Sequence, residues 1–194
     1  MEERLKKVPK LRFKDENGED FPAWEEKKLG EVAEITNGNS DVQDASVEYY
    51  EGAIPFFDRS EEIKYLDQYL FDEEALIYPG EGKEFFPRYY RGKYGLHQRC
   101  YTIHKHNENI VNLKYLYYFL YTQNTYFQRF AVGSTVPSLR LNTFIKANIY
   151  CPSIREQTRI ADFFTKLDEQ IEVEQAILEK WKLLKKGFLQ QMFI

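Results

Sequence analysis

Between residues 152 and 194 the apolar positions recur at spacings of four and three. Ile160, Phe164, Leu167, Ile171, Leu178 and Trp181 follow one helical face, and Glu174 takes the single seam position that should be apolar. A neighbouring row, Ile177, Trp181, Leu184 and Phe188, takes over beyond it. Ser153 and Glu156 stand three apart just ahead of the series, the spacing of a capping box in which each side chain serves the other's amide. No proline follows Pro152. The pattern predicts one helix from about Arg155 to about Gln191, roughly 55 Å long at 1.5 Å per residue. A stripe that long outruns a domain of this size and calls for a partner helix.

Upstream the pattern breaks into short pieces. Trp24 and Leu29 are expected to anchor a first element, and residues 29–35 mix a turn of helix with the start of a strand. Residues 36–46 read as loop, and residues 54–57 (IPFF) as a strand closed by a turn at Asp58, Arg59 and Ser60. Ile63, Leu66, Tyr69 and Leu70 are spaced for a short helix or an edge segment. Residues 75–78 (ALIY) read as a buried strand stopped by Pro79 and Gly80. Residues 80–95, punctuated by glycine, read as a hairpin or mobile loop, and residues 98–103 alternate like a strand. Asn112 caps a helix through Leu113, Leu116, Tyr117 and Leu120 that continues through Phe127 and Phe130 toward Gly133. A polar loop, a turn of helix within 139–146 and a last strand at 147–151 complete the series. The expected class is α+β: a globular domain of short strands and helices over residues 1–151, then one long C-terminal coiled-coil helix over 152–194.

Composition narrows the class of protein. A hydrophobic fraction of 43% argues against disorder, and no apolar run approaches the length of a membrane span. The N-terminus lacks the apolar core of a signal peptide, and Cys100 and Cys151 have no framework spacing, which together point to a cytoplasmic protein with free thiols. The net charge of −4 hides an asymmetry. Residues 15–81 carry twenty acidic and four basic side chains, whereas residues 83–155 carry eleven basic and two acidic ones. A basic block rich in Tyr and Phe suits nucleic acid.

Candidate chemistry concentrates there. Lys83, Arg88, Tyr89, Tyr90, Arg91 and Lys93, with Arg59 on the preceding turn and Gln98 and Arg99 behind, combine phosphate-neutralising cations with side chains that grip base edges in pairs of hydrogen bonds. The same stretch also suits an ordinary solvated hairpin. Ser134, Thr135, Ser138, Arg140 and Asn142 form a second polar cluster, suited either to helix capping or to phosphate and base contacts. All three histidines, His97, His104 and His106, surround Cys100, but a strand would point His97 and Cys100 to opposite faces, so no metal site is expected. Glu81 and Lys83 imitate the Glu-x-Lys of metal-dependent nucleases, with Asp67 or Asp72 as partner, and residues 77–84 depart from a phosphate-binding loop at both ends. A reader or scaffold without chemistry of its own is expected, with a protein-binding coiled-coil adaptor or a small nuclease as alternatives.

Several segments, in order along the chain, resemble the specificity (S) subunit of type I restriction–modification systems. They are residues 8–13 (VPKLRF), 24–35 (WEEKKLGEVAEI), 95–101 (GLHQRCY), 133–146 (GSTVPSLRLNTFIK), 152–157 (PSIREQ), 160–164 (IADFF), 167–169 (LDE) and 185–193 (KKGFLQQMF). The resemblance implies a target-recognition domain followed by a spacer helix that pairs antiparallel with a second one, so that two domains each read half of an interrupted double-stranded DNA target. It also implies modification and restriction subunits as partners, which supply S-adenosylmethionine, ATP and Mg2+ chemistry, and no catalytic residue in this chain. A typical member has two recognition domains and two helices. This chain has one of each, so the expected assembly is an antiparallel homodimer joined through Ile160, Phe164, Leu167, Ile171, Glu174, Leu178, Trp181, Leu184 and Phe188.

Overall fold

The computed structural model describes residues 9–105 and 108–193. In chain order the elements are β1 (Glu25–Lys28), α1 (Leu29–Val32), β2 (Ala33–Asn37), β3 (Ile54–Phe57), β4 (Lys64–Leu66), β5 (Phe71–Tyr78), β6 (Arg88–Leu96), β7 (Tyr101–Lys105), α2 (Leu113–Tyr121), α3 (Asn124–Phe130), α4 (Leu141–Ile145), β8 (Asn148–Cys151) and α5 (Ile154–Met192). A six-stranded sheet runs in the order β2-β7-β5-β6-β3-β4, antiparallel throughout except for the β3–β6 pair, while β1 and β8 form a separate two-stranded ribbon. The α+β class with a long C-terminal helix is as expected.

The central strand explains the sheet. Leu76 and Tyr78 enter a main core with α1, α2, α3 and α4, whereas Ala75 and Ile77 enter a second cluster with Phe57, Tyr94, Leu96 and Cys100. Both faces of β5 are thus covered, which is why residues 75–78 are apolar without alternation. Each fully buried large side chain here contributes roughly 1.5–3 kcal/mol. Polar atoms in the interior find partners: Tyr94 Oη and Thr102 Oγ1 lie 2.6 Å apart, and Tyr101 donates to the Leu139 carbonyl at 3.0 Å.

One local expectation narrows and two change. Of the short helix or edge segment expected across residues 63–70, the edge segment forms: Lys64–Leu66 are the edge strand β4, and β5 starts early, at Phe71. Most of 80–95 is strand, because β5 pairs with β6 from Arg88 to Tyr94 and β3 takes up Gly95 and Leu96. The helix capped by Asn112 breaks at Thr122 and Gln123, where the Thr122 side chain and amide both turn back to the Phe119 carbonyl, and α3 starts afresh.

Helix α5 spans 39 residues and is rooted by five attachments. Ser153 caps it by accepting the Glu156 amide at 3.4 Å, but Glu156 does not return the bond, so only half of the expected capping box forms. Glu156 instead lies fully buried, with Arg12 donating to both its oxygens at 2.7 Å and the Trp24 indole to one at 3.2 Å. Gln157, also buried, accepts the Asn112 amide at 2.8 Å and donates to the Ile110 and Pro152 carbonyls. Residues 12–24 wrap the first turns: Phe13 meets Phe163 edge-on, Arg155 pairs with Glu16, and Arg159 donates to the Lys14 carbonyl. Tyr118 of α2 closes the root with a 2.7 Å bond to Asp168. Beyond that point Ile171, Ile177, Leu178, Trp181, Leu184 and Phe188 stand 40–63% exposed, an apolar face projecting from the domain.

Candidate nucleic-acid interface

Five connections of the fold meet at one rim, and backbone contacts hold them there. The β5–β6 connection is pinned to the segment after α3: Gly82 donates to the Pro137 carbonyl at 3.0 Å, Leu139 to the Gly80 carbonyl at 2.8 Å, and Glu81 bridges Ser138. Asn124 and Gln128 of α3 hold the same connection by accepting the Phe85 amide and donating to the Lys83 carbonyl, both at 2.8 Å. The β6–β7 turn is pinned to the β2–β3 connection by Gln98 to Ser40 and Gly38 to Cys100 bonds of 3.0 and 3.2 Å. Glycine is obligatory at two crossings. A Cβ on Gly80 would sit 1.7 Å from the Arg99 carbonyl oxygen, and one on Gly38 2.0 Å from that of Leu96.

The β3–β4 turn has its own clamp. Asp58 is buried and accepts from the Ser60 amide at 2.7 Å, the Ser60 hydroxyl at 2.5 Å and the Lys64 ammonium at 2.5 Å. Burial pushes its carboxyl up, but these bonds outweigh that cost and hold it below the ordinary value. Arg88 donates to the Asp58 carbonyl at 2.9 Å and to the Ser60 carbonyl, with its guanidinium 5.8 Å from the centre of the Phe57 ring.

Two crevices open at this rim and share Arg59 and Glu81. The smaller, about 260 Å³, is lined by Asp41, Asp58, His97, Gln98, Arg99 and Cys100 in addition. The larger, about 590 Å³, adds Glu61, Lys83, Glu84, Arg88 and Gln128. Arg99 reaches Glu81 at 2.7 Å while remaining 64% exposed, and Gln98 donates to Asp41 at 3.1 Å. Donors and acceptors alternate within a few ångströms. That suits base edges, since Arg and Gln present donors to guanine and adenine and a carboxylate accepts from cytosine.

The structure therefore sorts the candidate residues. Arg59, Lys83, Gln98 and Arg99 line the crevices in exposed positions, and Arg88 lines the larger one as a backbone clamp. Ser134 and Thr135 are exposed on the adjoining loop, and Ser138 is half-buried in its bridge to Glu81. Arg140 and Asn142 are exposed at the start of α4, which packs on α1 and β2. The rest of the basic stretch sits apart. Tyr89 packs against Tyr117 and donates to Glu74, and Tyr90 packs on Phe57 and Tyr94. Arg91 lies opposite Glu74 in the ladder, and Lys93 opposite Asp72, with its ammonium 4.6 Å from the centre of the Tyr69 ring.

Among the described residues, the side chains named for a metal site or a nuclease are placed as follows. His97 and Cys100 are in a turn, with the Cys100 amide donating to the His97 carbonyl at 2.8 Å, and not on a strand as expected. Burial raises the Cys100 thiol to about 11. His104 Nδ1 lies 2.5 Å from Glu73, and His106 is outside the described residues. Among the described residues no group of three or more His, Cys, Asp and Glu could hold a metal ion. Glu81 is paired with Arg99, and neither Asp67 nor Asp72 lines the crevice that Glu81 and Lys83 share. Among the described residues no helix is long and apolar enough to cross a membrane.

Sequence reasoning missed the Asp58–Lys64–Arg88 clamp and the Asn124 and Gln128 supports. Only an acid, a serine and a lysine at close spacing signalled the first; the second depends on contacts 39 and 45 residues apart.

Residues 23–182 match the family described as type I restriction modification DNA specificity domain. The type I restriction enzyme EcoDI specificity subunit of Escherichia coli is 29% identical over 167 residues, covering 86% of this chain and 36% of that protein. The fold is shared with the type I restriction–modification system S subunit from M. genitalium, at a TM-score of 0.70 and 18% identity over 89% of this chain and 45% of that one. It is shared also with the HsdS subunit from Thermoanaerobacter tengcongensis, at 0.55 and 15% over 82% and 41%. The chain spans less than half the length of each of these relatives.

Proposed function

The chain belongs to the family of type I restriction–modification DNA specificity domains, and from that premise we propose that it supplies sequence specificity to a type I restriction–modification complex in the cytoplasm. Residues 1–151 read one half of an interrupted double-stranded DNA target, and residues 152–194 space that reader from a second one. The observation that carries the reading is the convergence of Arg59, Lys83, Gln98 and Arg99 on one rim, reached from three different connections of the sheet. In this reading Arg59 and Lys83 neutralise phosphates, Gln98 and Arg99 address base edges, and Ser134 and Thr135 contact the backbone. Arg88 acts indirectly by holding the Arg59 turn.

The chain itself is a reader without catalysis. S-adenosylmethionine, ATP and Mg2+ belong to the modification and restriction subunits, which dock along α5. The exposed apolar face of that helix supports pairing with a second copy of the chain, antiparallel, with a reader at each end. A helix of 39 residues covers about 58 Å, or roughly one and a half turns of duplex, which sets the gap between half-sites.

The test is methylation mapping in cells carrying this chain and its cognate modification subunit. An interrupted palindrome is expected, and Arg99→Ala should relax or abolish one defined position in each half. An unchanged motif after separate replacement of Arg59, Lys83, Gln98 and Arg99 would exclude the rim as the reader.

A further inference from the structure

An apolar recess lies away from the DNA rim. It is a groove of about 660 Å³ between α2 and the root of α5, with Trp24, Tyr115, Phe119, Ile160 and Phe164 in its walls and Asp168 at its edge. We propose that a second copy of this chain lays the last turns of its own α5 in this groove, Phe188 foremost, with the two helices related by a two-fold axis at Glu174. The proposal rests on the homodimer reading above and adds to it a register and a binding site.

Eight apolar positions of α5 fall in pairs placed symmetrically about Glu174, whereas Leu178 of the same seam has Gln170 at its mirror position. Three residues to either side stand Ile171 and Ile177, at seven Leu167 and Trp181, at ten Phe164 and Leu184, at fourteen Ile160 and Phe188. A two-fold axis perpendicular to the helix at residue 174 brings each of these pairs to the same level across the interface. It is the arrangement an isologous contact requires, with the same patch used on both copies. Parallel pairing would instead set each residue against itself and leave the switch of rows at Glu174 without a purpose.

Charge points the same way. Residues 160–174 carry five acidic side chains and one basic, while residues 175–192 carry four basic and one acidic. Antiparallel pairing sets the acidic half on the basic half, with Asp162 level with Lys186 and Asp168 with Lys180; parallel pairing sets like on like. Three levels are like-charged: Lys166 with Lys182, Glu169 with Glu179, and Glu174 with its own copy on the axis. Lys182 and Glu179 are already engaged with each other on their own helix, 2.6 Å apart, and Glu174 accepts from Gln170 at 3.2 Å.

The same register delivers Phe188 to the level of Ile160 and Met192 to that of Glu156, beside Trp24. Phe188 and Met192 are 52% and 75% exposed on a single chain, and the groove is the apolar recess at the far end of the stripe. Eight half-exposed apolar side chains per helix, at about 100 Å² each, bury roughly 1,600 Å² over two copies, the size of a standard stable interface.

Residue 174 is the one position that meets itself across the axis, so a cysteine there reports the register directly. The full chain carrying Glu174→Cys, treated with a short bis-maleimide, should run as a covalent dimer. Gln170→Cys should not, because its copies stand about 12 Å apart along the axis. The natural Cys100 and Cys151 are both buried. Phe188→Ala should weaken dimerisation about 100-fold in sedimentation equilibrium, since the two-fold repeats the loss at both ends. Phe188 is half-exposed in the monomer, so circular dichroism should stay unchanged. A dimer that sediments normally but cross-links at 170 and not at 174 overturns the register while leaving homodimerisation intact. An unaltered dimer constant for Phe188→Ala empties the groove of its proposed occupant. A wild-type chain that stays monomeric at micromolar concentration removes the homodimer reading and this proposal together.

Discussion

Replacing Arg12 by Ala tests how the globular domain is fastened to α5. The Glu156 side chain is fully buried, and Arg12, itself 13% exposed, meets both of its oxygens at 2.7 Å. Removing one member of a buried pair costs about 3–5 kcal/mol, because the remaining charge keeps its desolvation penalty and loses its compensation. Two contributions soften the loss. The Trp24 indole still donates to Glu156, and Glu156 sits in the first turn of α5, where the helix dipole favours an anion by up to about 1 kcal/mol. We expect Arg12→Ala to cost about 3 kcal/mol. The double change Arg12→Leu with Glu156→Leu should lie within about 1 kcal/mol of wild type, since neither charge then has to be buried. Urea unfolding at fixed protein concentration, followed by tryptophan emission and far-ultraviolet circular dichroism, gives both midpoints; the slope should not change. A cost under about 0.5 kcal/mol for Arg12→Ala, or a cycle in which the two single changes simply add, would refute the reasoning.

Arg88→Ala should lower stability by about 1–3 kcal/mol through loss of its bonds to the Asp58 and Ser60 carbonyls, whereas Arg99→Ala should leave the urea midpoint almost unmoved. In DNA binding the order reverses in kind: Arg99→Ala should reduce the salt slope by about one phosphate equivalent, or shift base preference at one position. Burial raises the thiols of Cys100 and Cys151 to about 11, so both should resist iodoacetamide at pH 8 in the folded chain and react once urea unfolds it. Burial raises the Tyr118 phenol to about 12, with the Thr165 hydrogen bond opposing the rise and the Asp168 hydrogen bond adding to it. Folding therefore favours the neutral phenol; its contribution is complete below pH 10 and is lost as pH rises through about 12. Tyr118→Phe should remove that alkaline step from a stability–pH profile.

What the sequence disclosed depended on how local the cause was. Helix α5 was legible to within a residue at each end, because its seam, its serine cap and its freedom from proline act within a few positions. The fate of Glu156 was not legible, because the competitor for its carboxylate stands 144 residues away at Arg12. Strand β6 was left open between a hairpin and a mobile loop for a similar reason. Its glycines and aromatics favour a turn locally, and β5 on one side with β3 on the other override them. The site was half legible. Lys83 and Arg99 were grouped with Arg91 and Lys93 by closeness in sequence, but the first two lie in connections at the rim and the last two run along a strand away from it.

The same folding-together bears on how the rim must work. In the sequence an acidic block precedes a basic one, which suggests a field of one sign on the surface. In the fold the two blocks interleave: Arg99 meets Glu81, and β6 lays Arg91 and Lys93 against Glu74 and Asp72 of β5. Such pairing cancels most of the long-range attraction that a polybasic surface would exert on a duplex. A rim of alternating donors and acceptors gains little from phosphate alone and much from a matching set of base edges. Affinity for random DNA should accordingly be low for a chain with eleven cations between residues 83 and 155, and discrimination should come from where Gln98, Arg99 and Glu81 are held. On that view the buried Asp58 clamp and the glycine crossings at 38 and 80 contribute to specificity as much as the exposed side chains do, because a reader with little bulk attraction relies on geometry.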